Sequence, residues 1–298
     1  MKKLNLSIIG SSTIIHHHIK AARKNNFKIQ CVFSSRRNSK NLNNIEKIYK
    51  IKTTESFDEF EDISLKKDCH FLLAGRLNDN EKYLKKIIKQ KKKILIEKPF
   101  LINSKSFKKY FRFKKYLFIG YNRVYYENLN IIKHNLISSL DEILVIIPEI
   151  SKERLITNSC HIISILIELF GNLKVKFKEV KKNQSFTRCS SKLGNNINII
   201  YKKRSVDNFK IESISNKKKF ILSPLENLKI FDNLKKIKRK NQNLYILTNK
   251  LNKMENSKFK PGFDNQYNNF RKFIISGKEP KTNINFAFEV IKTIEKLF

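Results

Sequence analysis

Through the first 120 residues, short apolar runs alternate with amphipathic stretches. Leu4 to Ile9, Lys28 to Phe33, His70 to Ala74, Ile94 to Ile96 and Leu117 to Gly120 read as buried strands. Between them, Ser11-Ser12-Thr13 opens a helix through about Lys24, with Ile14, Ile15, His18, Ile19 and Ala22 on its apolar face. Ile45 to Lys50, Asp79 to Lys89 and Ser104 to Lys115 read as further helices, and Phe57 to Asp62 as an acidic, aromatic connection. Strands alternating with helices predict a doubly wound parallel sheet, an α/β domain over residues 1–120. On such sheets ligands bind beyond the carboxyl ends of the strands, where Gly10, Ser35, Ala74 and Lys98 stand.

After Gly120 the pattern changes. A helix near Leu129 to Leu140 precedes a strand from Glu142 to Ile147, and Thr157-Asn158-Ser159-Cys160-His161 leads into an apolar helix, Ile162 to Phe170, that stops at Gly171. Strands then alternate with polar turns at Val175 to Lys181, Asn196 to Lys202, Phe209 to Ser215 and Lys219 to Leu222. The run Lys235-Lys236-Ile237-Lys238-Arg239-Lys240 reads as a solvated loop or hairpin. Lys258-Phe259-Lys260-Pro261-Gly262-Phe263 is a turn, and helices follow at Asp264 to Ile275 and Phe286 to Phe298. Residues 121–298 are therefore expected to form an α+β domain with an open, largely antiparallel sheet.

Composition narrows this picture only in places. With 40% apolar residues in 298, gathered in periodic blocks, the chain is globular rather than disordered. No apolar run is long enough for a membrane span. Met1-Lys2-Lys3 leads directly into a strand without a small-residue cleavage site, which argues for a cytoplasmic protein. Cys31, Cys69, Cys160 and Cys189 are far apart and read as reduced, buried thiols. His16-His17-His18 is not expected to hold a metal, because consecutive helical residues point in different directions. The net charge of +37 could signal a nucleic-acid partner. The excess is mostly lysine spread along the whole length, no nucleic-acid motif accompanies it, and solvated lysine faces explain it better.

Four places carry candidate chemistry. A strand, Gly10, the short polar turn with Ser12 and Thr13, and a helix start form a layout that can receive a pyrophosphate. In a GxGxxG frame only Gly10 is present, with Ser12 and Ile15 at the other glycine positions, so a structural β-turn-α competes with that reading. The second strand ends in Ser34-Ser35-Arg36-Arg37 with no acid; hydroxyls and guanidinium groups suit a phosphate monoester, which favours NADP(H) over NAD(H), against a solvated basic loop. Lys98 closes a buried strand and is otherwise an ordinary lysine. His161 begins a buried helix, where the dipole disfavours imidazolium, and is otherwise a core or capping histidine.

Ile94-Leu95-Ile96-Glu97-Lys98-Pro99-Phe100, the segment Ile119 to Tyr126, Asn158 to Gly171 and the Lys260-Pro261-Gly262-Phe263 turn, in this order and spacing, resemble the glucose-fructose oxidoreductase, inositol dehydrogenase and MocA family, Gfo/Idh/MocA. The resemblance implies an N-terminal Rossmann domain, NAD(P)-dependent hydride transfer to or from a sugar or nucleotide-sugar, a place in surface polysaccharide synthesis, and a homo-oligomer. Carried over, Lys98 would stabilise charge on the reacting oxygen, His161 would be the general acid/base, and Glu97 would position Lys98 and the cofactor. Gly10, Ser12, Thr13, Ser35, Arg36 and Ala74 would bind the cofactor, and Tyr121, Arg123, Thr157 and Asn158 the substrate. Thr157, Ser164 and Val124 stand where family members often have aspartate, another acid and arginine. A non-catalytic relative acting as a dinucleotide or sugar sensor is the competing expectation.

Overall fold

A computed structural model describes residues 3–135, 142–149, 152–203, 205–214, 218–239, 242–255 and 260–297. The first sheet has six parallel strands: β1 (Leu4–Ile9), β2 (Phe27–Phe33), β3 (Thr53–Thr54), β4 (His70–Leu73), β5 (Ile94–Glu97) and β6 (Leu117–Gly120). Their order is β3-β2-β1-β4-β5-β6. The chain thus leaves β1 toward one edge and later returns beside it toward the other, which opens a crevice at the carboxyl ends of β1 and β4. The core strand residues Leu6, Ile8, Phe71, Leu72, Ile94, Leu95 and Ile96 have no solvent exposure. That two-sided burial is what consecutive apolar runs anticipate.

Helices α1 (Ile14–Lys24), α2 (Lys40–Tyr49), α3 (Phe57–Lys66) and α4 (Leu77–Ile87) connect these strands. Phe57 to Asp62 is therefore helical, not a connection. Its signal is the S-x-x-E box: Ser56 Oγ accepts from Glu59 N at 3.3 Å, and Asp58 and Glu59 suit the helix amino end. The expected α-helix at 104–115 is instead 3-10, Ser104–Tyr116. Phe107 and Tyr110 are its buried residues, three apart, and both rings pack edge-on against Phe100. A three-residue repeat of anchors matches the tighter helix.

The second sheet has eight strands in the order β14-β13-β12-β11-β7-β10-β9-β8. After α5 (Glu127–Asn135) come β7 (Glu142–Glu149), α6 (Lys152–Thr157) and α7 (Cys160–Phe170). The strands β8 (Leu173–Lys181), β9 (Gln184–Ser191), β10 (Asn196–Lys203), β11 (Lys210–Ile214), β12 (Lys219–Leu222), β13 (Asn227–Arg239) and β14 (Gln242–Met254) follow. All pairings are antiparallel except β7 with β10. β9 lacks an apolar signature because its buried face is Ser185, Thr187, Cys189 and Ser191. The lysine run is a strand end: β13 and β14 form a hairpin with Lys235 opposite Ile246 and Lys236 opposite Tyr245. Parts of the expected elements at 136–140, 215, 240, 258–259 and 298 lie outside the described residues.

Helices α8 (Phe263–Ser276) and α9 (Ile284–Leu297) end the described chain. By packing, Met1–Tyr125 and Ser257–Ile291 form one compact unit, and Tyr126–Asn256 with Lys292–Phe298 another. The first unit thus differs from a single cut after Gly120, because α8 packs on α1. Phe270 stacks on Phe27 at 5.7 Å, Tyr267 meets Phe27 edge-on at 5.8 Å, and Asn25 Nδ2 donates to Asp264 Oδ1 at 2.9 Å. The four cysteines are buried and free, and burial pushes the Cys31 thiol up to about 12. Among the described residues no helix is long and apolar enough to cross a membrane.

His70, at the start of β4, accepts at Nδ1 from the Lys93 N–H at 3.2 Å. Burial, followed by nearby Lys92, lowers its pKa to about 4. The folded state thus refuses a proton that the unfolded chain takes up near pH 6.5, so this contribution is complete above pH 6.5 and lost as pH falls toward 4. Urea denaturation should show stability dropping over that window by up to about 3 kcal/mol more than in His70→Gln.

Candidate active site

The crevice between β1 and β4 is fixed by backbone. Gly10 N–H donates to the Phe33 carbonyl, and Ala74 N–H to the Ile9 carbonyl, both at 2.8 Å. Gly10 has φ +131°, and a Cβ there would lie 2.4 Å from the Ala74 carbonyl oxygen. Only glycine meets both conditions. A cleft of about 300 Å³ opens at this point, lined by Gly10, Ser11 and Ser12 after β1, Ser34, Ser35 and Arg36 after β2, and Ala74, Gly75, Arg76, Asp79 and Tyr83 after β4. Gly10, Ser12, Ser35, Arg36 and Ala74 are thus brought together, while Thr13 stands just behind them as the α1 N-cap residue.

Serines tie the loops after β1 and β2 to one another. Ser11 Oγ is 2.8 Å from Ser34 Oγ, Ser39 Oγ donates to Ser11 Oγ at 3.1 Å, and Arg36 N–H donates to Ser34 Oγ at 3.1 Å. The helix ends differ in a telling way. α2 and α3, away from the cleft, are capped by Ser39 and Ser56. α1 and α4, whose amino ends border it, have no side-chain cap, and α1 has no acid in its first turn. The α1 amino end, without a side-chain acceptor and facing a cleft with two arginines, suits an anion, while α4 carries Asp79 in its first turn. The residues present therefore fit a pyrophosphate-containing cofactor.

Two lining residues escape sequence reading. Arg76 follows β4, so the cleft has a second guanidinium besides Arg36. Asp79, in the first turn of α4, accepts from Ser35 Oγ at 2.9 Å. An acid therefore does reach the end of β2, delivered from the helix after β4. Only the strand order, which sets β4 beside β1, reveals it. Tyr83 lines the cleft with its ring edge-on to Phe33 at 5.0 Å.

At the end of β5, Glu97 and Lys98 lead into Pro99 through a cis peptide. Glu97 Oε1 lies 3.1 Å from Nε2 of His18, which is wholly buried on α1. Gly120, next to Glu97 in the β5–β6 register, gives the carboxylate room, since a Cβ there would come within 3.2 Å of Oε1. Tyr121 is fully buried with its ring edge-on to Phe286, a packing role, and Arg123 sits in a 3-10 turn, Asn122–Tyr125. In the second unit, Thr157 ends α6 and Asn158 lies in the turn into α7. His161, 8% exposed, stands in the first turn of α7, with its N–H donating to the Asn158 carbonyl at 3.1 Å. Ser164 Oγ donates back to the His161 carbonyl at 2.7 Å.

Residues 4–116 match the sequence model of the oxidoreductase family with an NAD-binding Rossmann fold, Gfo/Idh/MocA. A comparison with curated proteins gives no match. Solved structures similar to this chain include a dehydrogenase from Clostridium difficile (17% identity, TM-score 0.77, covering 99% of this chain and 98% of that one). The UDP-N-acetylglucosamine 3-dehydrogenase of Acidithiobacillus ferrooxidans is similar at 11% identity and TM-score 0.74, covering 100% and 97%. So is a 3-ketoreductase from Actinomadura kijaniata in complex with NADP and TDP-benzene, at 9% identity and TM-score 0.71, covering 99% and 97%. At these identities the structural likeness is one of fold.

Gly10→Ala should lower stability by about 3 kcal/mol in chemical denaturation, through the clash with the Ala74 carbonyl and the unfavourable φ. Gly75→Ala is the milder comparison, since its Cβ would meet only the Asn80 side-chain oxygen at 3.0 Å.

Proposed function

We propose that this chain, whose residues 4–116 match the Gfo/Idh/MocA oxidoreductase model, is an NADP(H)-preferring dehydrogenase or reductase acting on a sugar or nucleotide-sugar. The observation that carries the reading is the cleft at the β1–β4 crossing, with two uncapped helix amino ends and two arginines. When bound, the nicotinamide supplies or accepts the hydride. In the oxidative direction the Lys98 ammonium stabilises negative charge growing on the substrate oxygen, and His161 takes up the hydroxyl proton; in the reductive direction His161 returns it. Glu97 positions Lys98. Arg36 and Arg76 neutralise a 2′-phosphate, while Asp79 engages Ser35 and is the one carboxylate among the lining residues. Tyr121, Arg123, Thr157 and Asn158 belong to the substrate side of this reading.

The nucleotide-sugar class is motivated by two proteins of the same fold, one named a UDP-N-acetylglucosamine 3-dehydrogenase and one a 3-ketoreductase in complex with TDP-benzene. A cytoplasmic location accords with four free, buried thiols. A homo-oligomer accords with Leu234, Tyr245 and Leu247, all exposed on the β13–β14 hairpin. One observation favours a non-catalytic sensor instead: Ser164, where family members often have an acid, is engaged with its own helix backbone.

Fluorescence titration should show NADPH binding more tightly than NADH, with Arg36→Ala weakening NADPH about tenfold and leaving NADH nearly unchanged. A folded protein that binds neither at millimolar concentration overturns the reading. In a screen of nucleotide-sugars, Lys98→Ala and His161→Ala should each reduce turnover by about 10²–10⁴-fold with NADPH binding largely kept. Binding without turnover of any nucleotide-sugar in the screen would favour the sensor.

A further inference from the structure

The three consecutive histidines of α1 have no part in the chemistry above. They diverge, as neighbours on a helix must. His16 reaches Tyr49 and Asn41, at 3.2 and 3.0 Å, and His17 is exposed. His18 is wholly buried, with the Phe263 ring 4.7 Å from its own.

His18 is engaged at both ring nitrogens. Nδ1 lies 3.0 Å from the hydroxyl of Tyr267, a fully buried residue of α8 that is 249 positions away in sequence. Nε2 lies 3.1 Å from Glu97 Oε1. The two facing atoms are buried and meet by distance alone, since neither makes a hydrogen bond among the described residues. Burial, and after it the Glu97 carboxylate, push the Tyr267 phenol well above its ordinary value, so it keeps a proton to donate. An imidazole that accepts at Nδ1 carries its own proton on Nε2, and Nε2 faces the carboxylate. Tyr267 O–H therefore donates to His18 Nδ1, and the proton-bearing Nε2 faces Glu97 Oε1 at 3.1 Å.

We infer that Tyr267 and His18 are positioning residues, which together hold the Glu97 carboxylate in one orientation immediately before Lys98. Gly120 bounds the same carboxylate from the neighbouring strand, where a Cβ would crowd both Oε1 and the Ile96 carbonyl. Without the Tyr267 hydroxyl, Nδ1 loses its donor and the imidazole is no longer held from both sides, so the ring can turn. Glu97 then turns, and the end of β5 loses its fixed geometry. The contacts of His18 with Tyr267 and Glu97 stand on the structure; only their consequence at Lys98 rests on the proposed function.

The test uses the full chain. Two-bond proton–nitrogen NMR on histidine-labelled protein, with His18 identified by its absence in His18→Gln, should show His18 neutral with its proton on Nε2. Tyr267→Phe should shift the Nδ1 resonance as its hydrogen-bond donor is lost. A wild-type proton on Nδ1, or a His18 signal indifferent to Tyr267→Phe, overturns the inference. In turnover of the nucleotide-sugar found by the screen, Tyr267→Phe should lower kcat about tenfold and His18→Leu about a hundredfold, with the NADPH Kd changed less than about threefold. His18→Gln, whose amide N–H reaches toward the same carboxylate, should recover most of the rate. Equal losses in all three variants that track their melting temperatures would show a purely structural role and overturn it. If NADPH does not bind at all, the proposed function fails, and the NMR result alone decides the chain.

Discussion

At Gly10 two backbones leaving neighbouring strands come so close that no side chain can stand between them. Everything at the carboxyl edge of the first sheet depends on that approach. It sets the loop after β1 against the loop after β4, and the cleft opens where they meet. Glycine is needed at this one frame position by geometry. The other two positions are under a different constraint: Ser12 lines the cleft, and Ile15 is a wholly buried core residue of α1. Serine-to-serine hydrogen bonds among Ser11, Ser34 and Ser39 tie the loops after β1 and β2 together. An incomplete glycine fingerprint is thus compatible with a well-defined anion cleft.

The first sheet was legible because its signal is local. Runs such as His70 to Ala74 and Ile94 to Ile96 announce strands buried on two faces, and their carboxyl ends announce the ligand edge. In the first of these runs Phe71, Leu72 and Leu73 are consecutive and none has solvent exposure. What stayed hidden is what depends on pairing. The strand β9 buries serine, threonine and cysteine, so no apolar alternation marks it, and β13 and β14 carry lysines across a hairpin whose register appears only once the strands are paired. The same holds in the site. Gly10, Ser35, Arg36 and Ala74 sit at strand ends and were readable there, whereas Arg76 and Asp79 join them only through the strand order.

Charge acts on two scales in this chain. The net +37 is a diffuse lysine background that draws anions of any kind toward the surface and discriminates poorly among them. Discrimination needs donors of fixed geometry, and the cleft supplies these as two guanidinium groups, backbone amides at two helix starts, and one carboxylate held by Ser35. Asp79 therefore has a larger effect on ligand choice than its single charge against such a background suggests. It is fixed at short range, while the lysines are solvated and screened.

The same distinction between local and distant signals applies to Glu97. The residues next to its carboxylate come from α1 and β6, and α8 reaches it only through His18; nothing in the sequence near any one of them announces the others. His18 looks like one apolar-face residue of a helix, Gly120 like a strand end, and Tyr267 like one aromatic in an amphipathic helix. They meet because Phe270 and Tyr267 pack against Phe27, which brings α8 back onto α1 and makes 257–291 part of the first unit. That return of the chain is what gives His18 its second partner. A phenol that keeps its own proton on one side of the imidazole gives Nδ1 a donor, and so turns Nε2 toward the carboxylate on the other.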